Sequence, residues 1–137
     1  MVYIQRRETF SASHRLYNTT WSDAENEAVF GKCSNYYGHG HNFQLIVTVK
    51  GEVNPDTGFV INLVDLKTIM MEEVIQHVDH RNLNVDVPFL QGMLPSTENL
   101  AIAFWQRLAP AIALNGAELH CIRLIETENN FVEYYGV

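Results

Sequence analysis

The sequence predicts an α+β layer: a four-stranded antiparallel sheet with two helices packed on one face. Three observations carry that expectation. Residues 2–14 and 43–49 are rich in β-favouring side chains in alternating order, the period of a strand with one buried face. Two central segments, opening near Asn62 and Ser96, instead repeat apolar residues every three or four positions, the period of an amphipathic helix. Along the chain the order reads strand, strand, helix, helix, strand, strand. Hydrophobic residues make up 47% of the 137, and no compositional break marks a linker, so one domain over residues 1–137 is expected.

Taken in order, residues 2–14 form the first long strand. Ser22-Asp23-Ala24-Glu25 has the spacing of a capping box and opens a short helix that stops at Gly31. The second strand is clearest over 43–49, where Phe43, Leu45, Val47 and Val49 interleave with Gln44, Ile46 and Thr48. Asn54-Pro55-Asp56-Thr57-Gly58 is turn chemistry, and Phe59 to Ile61 is expected to be a short strand or an extension. The first long helix carries Leu63, Leu66, Ile69, Met70 and Val74, with Asn62 and Asp65 as acceptors near its N-terminal amides, and ends near His77. The second begins around Ser96-Thr97-Glu98 and places Leu100, Ala101, Phe104, Trp105, Leu108 and Ile112 on one face before Asn115-Gly116. Strands near 117–127 and 131–136 close the chain around Glu128-Asn129-Asn130. Such a small open sheet has two edges, which invite pairing between subunits.

Composition removes several function classes. A formal charge of −7 argues against a general nucleic-acid surface, which needs clustered Lys and Arg, so a polyanionic ligand must be met locally or with a divalent cation. No apolar run approaches the roughly 18 residues of a membrane span, and Met1-Val2-Tyr3-Ile4-Gln5-Arg6-Arg7 lacks the apolar stretch of a secretion signal. A cytoplasmic location is the expectation. Two cysteines, Cys33 and Cys121, are too few for a disulfide framework and are expected to stay as thiols.

The chemistry concentrates in Cys33-Ser34-Asn35-Tyr36-Tyr37-Gly38-His39-Gly40-His41 and in His14 upstream. In an extended segment, residues two apart share a face at roughly 6.6 Å, so His39 and His41 can converge on one ion. Three neutral imidazoles on Zn²⁺ leave a fourth position open for water or substrate, whereas structural sites usually close all four with several cysteines. The pattern therefore points to a catalytic metal, with Cys33 as either a free thiol or the fourth ligand of a closed site. His77, His120 and Cys121 read as structural, and Phe104 and Trp105 as core.

Phe10-Ser11-Ala12-Ser13-His14-Arg15-Leu16, Gly38-His39-Gly40-His41-Asn42, Asp79-His80-Arg81-Asn82-Leu83, Ser96-Thr97-Glu98-Asn99 and Ile125-Glu126-Thr127-Glu128-Asn129-Asn130 together resemble the 6-pyruvoyl tetrahydropterin synthase family. The resemblance runs essentially end to end. It implies a tunnelling fold, a homohexamer of two stacked trimers with sheets joined into a barrel, and active sites shared between subunits. It also implies a lyase that converts 7,8-dihydroneopterin triphosphate to 6-pyruvoyl tetrahydropterin and inorganic triphosphate, on the route to tetrahydrobiopterin. By the same resemblance His14, His39 and His41 bind zinc, Cys33 is the catalytic cysteine, Asp79 and His80 are its relay partners, and Glu126 anchors the pterin with help from Thr97 and Glu98. A sister family, 6-carboxytetrahydropterin synthase, shares the fold and zinc histidines. The five residues between Cys33 and His39, and the Asn129-Asn130 pair, resemble the tetrahydrobiopterin-type enzymes instead. A non-catalytic, zinc-stabilised pterin-binding oligomer is the remaining alternative.

The implied chemistry explains the residue types. Proton loss from carbon beside an oxygen-bearing centre, β-elimination of the phosphate leaving group and tautomerisation need a Lewis acid, a base and an orienting carboxylate, and no external reductant. A thiolate at Cys33 is the base, Asp79 fixes the tautomer of His80, and Glu126 accepts a bidentate pair from the pterin edge. Arg15, Lys32, Lys50, Lys67 and Arg81 are unranked candidates for the triphosphate, with Mg²⁺ able to carry part of its charge.

Overall fold

A computed structural model describes all residues, 1–137. Strand β1 (Val2–His14) pairs antiparallel with β2 (His39–Gly51), β2 with β4 (Glu118–Thr127), and β4 with β5 (Asn130–Tyr134). These four are the strands of the predicted antiparallel sheet. The sheet has a fifth strand, however, giving the order β3-β1-β2-β4-β5. Strand β3 is only Arg81–Asn82 and runs parallel to β1, opposite Ala12 and Ser13. Two residues carry no readable period, so tertiary pairing alone makes the sheet mixed rather than purely antiparallel.

The caps follow the local chemistry. Helix α1 (Asp23–Phe30) is capped by Ser22, whose Oγ accepts the Glu25 amide at 3.1 Å, and it ends at Gly31 with φ +57°. Helix α2 (Leu63–Met70) is capped by Asn62, whose Oδ1 accepts the Val64 amide at 2.9 Å. It does not run unbroken to His77: a π-helical stretch, Met71–Ile75, intervenes before the three-residue α3 (Gln76–Val78). The π turn offsets the phase of the helix, and Val74, Ile75 and Val78 all remain buried, while Leu63 is half exposed. Helix α4 (Thr97–Ala113) is capped by Ser96 and buries Leu100, Ala101, Phe104, Leu108 and Ile112 as predicted. Trp105 sits at the margin of the core, edge-on to Tyr134. Phe59 to Ile61 form no strand; Val60 and Ile61 make a bend that leads into α2, with Ile61 buried.

One core lies between the helices and one face of the sheet. Strand β2 contributes Phe43, Leu45, Val47 and Val49, all fully buried, and β4 contributes Ile122 and Leu124. Each such side chain contributes about 1.5–3 kcal/mol by leaving water. The opposite face bears Ile46 and Cys121, buried yet outside that cluster, among Arg7, Gln44 and Arg123. The ends of β1 and β2 that meet at His14 and His39 therefore project the same face as the core, two same-face rungs beyond its aromatic border of Phe10 and Phe43, with Ala12 and His41 on the rung between.

Candidate active site

The register places the histidines. His14 is directly opposite His39, and His41 lies two residues further along β2 on the same face. Their ligand atoms all lie within 4.8 Å of one another. Phe43 supports them from below, its ring edge-on to His14 and His41 at 5.9 and 5.6 Å. His14 is 1% exposed, and its Nδ1–H donates to the Pro95 carbonyl at 2.8 Å. A carbonyl only accepts, so that bond fixes the tautomer and leaves Nε2 bare. The Nε2 atoms of His14 and His41 are buried with no hydrogen-bond partner, a state that normally costs stability. Burial holds all three imidazoles below their ordinary pKa; a nearby carboxylate at Glu126 partly opposes the effect. They are thus neutral at physiological pH, the form that ligates a metal.

That carboxylate stands against the group. Glu126 is 3.8 Å from Nε2 of both His14 and His41, one oxygen to each. Thr97 Oγ1–H donates to Glu126 Oε2 at 2.7 Å, so the first residue of α4 orients an acid on β4. The two side chains, with exposed Glu98, Asn129 and Asn130, line a hollow of about 440 Å³. Cys33 rides on a 3₁₀ turn (Gly31–Ser34), half-buried and outside the histidine group. The closed Cys-His₃ alternative therefore lacks its fourth ligand. Three imidazoles plus an open side facing a carboxylate and a hollow fit zinc, and they fit a catalytic rather than a structural centre.

A family model described as 6-pyruvoyl tetrahydropterin synthase matches residues 3–137. The chain belongs to that family. The 6-pyruvoyl tetrahydrobiopterin synthase of Homo sapiens is 47% identical over 133 residues, covering 97% of this chain and 90% of its own length. That of Dictyostelium discoideum is 46% identical over 135 residues, covering 98% and 96%. The solved Caenorhabditis elegans 6-pyruvoyl tetrahydropterin synthase superposes with a TM-score of 0.92 at 40% identity, over 99% of this chain and 96% of that one.

In this 6-pyruvoyl tetrahydropterin synthase family member the remaining site residues divide. Asp79 Oδ1 lies 3.0 Å from His80 Nδ1 and accepts the Ser11 amide at 2.9 Å. That amide, more than His80, holds the Asp79 carboxyl below its ordinary pKa. His80 is 81% exposed on its side chain and has φ +61°, the sole non-glycine residue in the left-handed region, a conformation that gathers at functional sites. No hydrogen bond within the chain joins the pair to Cys33, and the pair lies outside the group formed by the three histidines. Among the basic candidates, Lys50 pairs with Glu118 at 3.5 Å and lies eleven residues, roughly 35 Å of strand, from His39 of its own chain. Lys32, Lys67 and Arg81 are exposed. Arg15 is engaged with the main chain at Ser34.

Two contributors had no sequence signal of their own. Pro95 acts through its carbonyl, which any residue has. Gly38, with φ +73°, is required because a Cβ there would lie 2.7 Å from the His14 carbonyl oxygen. Gly40, between His39 and His41, would meet Ala12 only at an ordinary 3.5 Å. His77 bonds the Glu72 carbonyl, His120 packs between Tyr3 and Tyr135, and Cys121 is buried beside Glu133, in keeping with structural roles.

Proposed function

We propose that this chain is a zinc-dependent carbon–oxygen lyase that converts 7,8-dihydroneopterin triphosphate to 6-pyruvoyl tetrahydropterin and inorganic triphosphate in tetrahydrobiopterin biosynthesis. The observation that carries the proposal is three neutral imidazoles with two bare, buried Nε2 atoms converging beside one oriented carboxylate at the mouth of a hollow. His14, His39 and His41 would hold Zn²⁺, which when bound supplies a Lewis acid for the side-chain oxygens of the substrate. Glu126, held by Thr97, accepts the 2-amino and N3 hydrogens of the pterin and fixes the ring, with Glu98 at the rim. Cys33 takes the proton from the substrate carbon. Proton loss from the carbon next to the phosphate-bearing one expels triphosphate by β-elimination to an enol that becomes a ketone, while proton loss from the carbinol carbon beside the ring passes its electron pair into the C6=N5 bond, so the side chain is oxidised to the pyruvoyl level as the ring is reduced to tetrahydropterin with no external reductant.

The Asp79–His80 pair relays the proton from a second subunit. The lack of any hydrogen bond from the pair to Cys33 within one chain and the exposure of His80 support a shared site, and the exposed, half-paired edges at β3 and β5 support a homohexamer of two trimers with sheets joined into a barrel. Mg²⁺ accompanies the triphosphate. No helix is long and apolar enough to cross a membrane, and a cytoplasmic enzyme is the reading in keeping with that.

The test is to incubate zinc-loaded protein with 7,8-dihydroneopterin triphosphate, following triphosphate release and pterin mass together beside a chelated control. Zinc-dependent release with a 6-pyruvoyl product supports the proposal. A 6-carboxy product moves the chain to the sister activity, and pterin binding without release makes it a binding protein. Light scattering at micromolar concentration checks the hexamer, and a monomeric mass refutes it.

A further inference from the structure

We infer that Arg15 is a positioning residue that fixes the Cys33 turn against the metal group, rather than a contact to triphosphate. This rests on the reading of Cys33 as the proton acceptor. The turn Gly31–Ser34 is four residues long and is tied within itself by Ser34 Oγ–H to the Gly31 carbonyl. Two hydrogen bonds reach it from the segment that follows His14. The Leu16 amide donates to the Cys33 carbonyl at 2.8 Å, and Arg15 Nε–H donates to the Ser34 carbonyl at 2.8 Å. The guanidinium carbon lies 3.9 Å from the Tyr17 ring centroid and 5.3 Å from that of Tyr36, so the group is stacked as well as bonded. Asn84 holds the Arg15 main chain from both sides, accepting its amide at 2.7 Å and donating to its carbonyl at 2.8 Å.

Arg15 directly follows His14, which is itself immobilised by Pro95. The guanidinium is therefore a strut from a metal ligand to the thiol-bearing turn. It must be Arg because Lys has neither the planar fork that donates from Nε nor the flat face that stacks on a ring. Misplacing a reacting group by about 1 Å costs on the order of 10²-fold in rate, so a loosened turn lowers turnover without changing how substrate binds. A triphosphate contact behaves oppositely, since losing ground-state binding raises KM.

The experiment compares zinc-loaded full-length wild type, Arg15→Lys and Arg15→Gln by zinc content, kcat, KM and the rate of Cys33 alkylation by iodoacetamide, read by peptide mass spectrometry without substrate. Both variants are expected to keep zinc, to lose about ten- to hundredfold in kcat with KM within about threefold, and to alkylate at a rate changed by about threefold or more. Wild-type alkylation rates, a KM rise at unchanged kcat, or full rescue by Lys overturns the inference. Should the Arg15 variants fail to hold zinc, Asn84→Ala decides: a changed alkylation rate supports the strut and a wild-type rate overturns it. Failure of the proposed function shows separately, as absence of triphosphate release from wild type, while alkylation still judges Arg15.

Discussion

Thr97→Val removes one hydrogen bond and almost nothing else. The two side chains have the same branched shape, and Thr97 is buried at the start of α4. What goes is the donor that reaches Glu126 Oε2 at 2.7 Å. A hydrogen bond to a charged acceptor contributes about 1.5–3 kcal/mol. The Glu126 side chain is 20% exposed, so water recovers part of this, leaving about 1–1.5 kcal/mol of lost orientation. Since 1.4 kcal/mol is tenfold in affinity, pterin should bind about tenfold more weakly. The assay is fluorescence titration with neopterin in a Cys33→Ala background, where turnover cannot distort the isotherm. Thr97→Ser, which keeps the hydroxyl, is expected to retain most of the affinity. Neopterin affinity unchanged in the Val variant, or lost equally in the Ser variant, would refute the argument that this bond prepares Glu126 for the ligand.

Cys33→Ala should keep full zinc, because the thiol lies outside the histidine group, while turnover falls about 10²- to 10⁴-fold; metal analysis beside kinetics checks both. His39→Ala should lose stoichiometric zinc, and chelation of wild type should lower Tm, since a metal present at about a thousand times its Kd stabilises by about 4 kcal/mol. Gly38→Ala forces a Cβ to within 2.7 Å of the His14 carbonyl oxygen at φ +73° and should destabilise by about 1–3 kcal/mol in urea melts. The Asp79 carboxyl is held below its ordinary value of 3.8, chiefly by the Ser11 amide. Its contribution is therefore complete above that value and lost as pH falls through the lowered one. Asp79→Asn should melt below wild type at neutral pH, with the gap narrowing in melts taken progressively below pH 3.8.

The fold was legible where a period was long enough to read. Thirteen residues of β1 and seventeen of α4 show their alternation or their apolar face directly, and Ser96, Asn62 and Ser22 announce helix starts because capping is local chemistry. The two-residue β3 and the π turn at Met71–Ile75 were not legible: neither has a pattern of its own, and both are imposed by packing against β1 and the core. At the site, the residue types that bind metals identify themselves by spacing. Residues that act through main-chain groups do not, since the carbonyl of Pro95 and the missing Cβ of Gly38 leave no mark that separates them from any other proline or glycine. Asp79 and Glu126 lay between these cases, chosen by resemblance rather than by their own surroundings in the sequence.

The His14–His39 rung is the last one of the β1–β2 ladder, and the chain between its two members, residues 15–38, loops away from it. Because side chains alternate from face to face, a pairing error of one residue would send His14 to one side of the sheet and His39 with His41 to the other. Chelation is thus a test of alignment, passed only by a hairpin that has zipped in phase over its whole length. A one-residue insertion between His39 and His41 puts them on opposite faces, whereas the excursion between the strands can change length at its outer part without moving a single donor atom. The histidine cluster and the strand register are in this sense the same piece of information, written once.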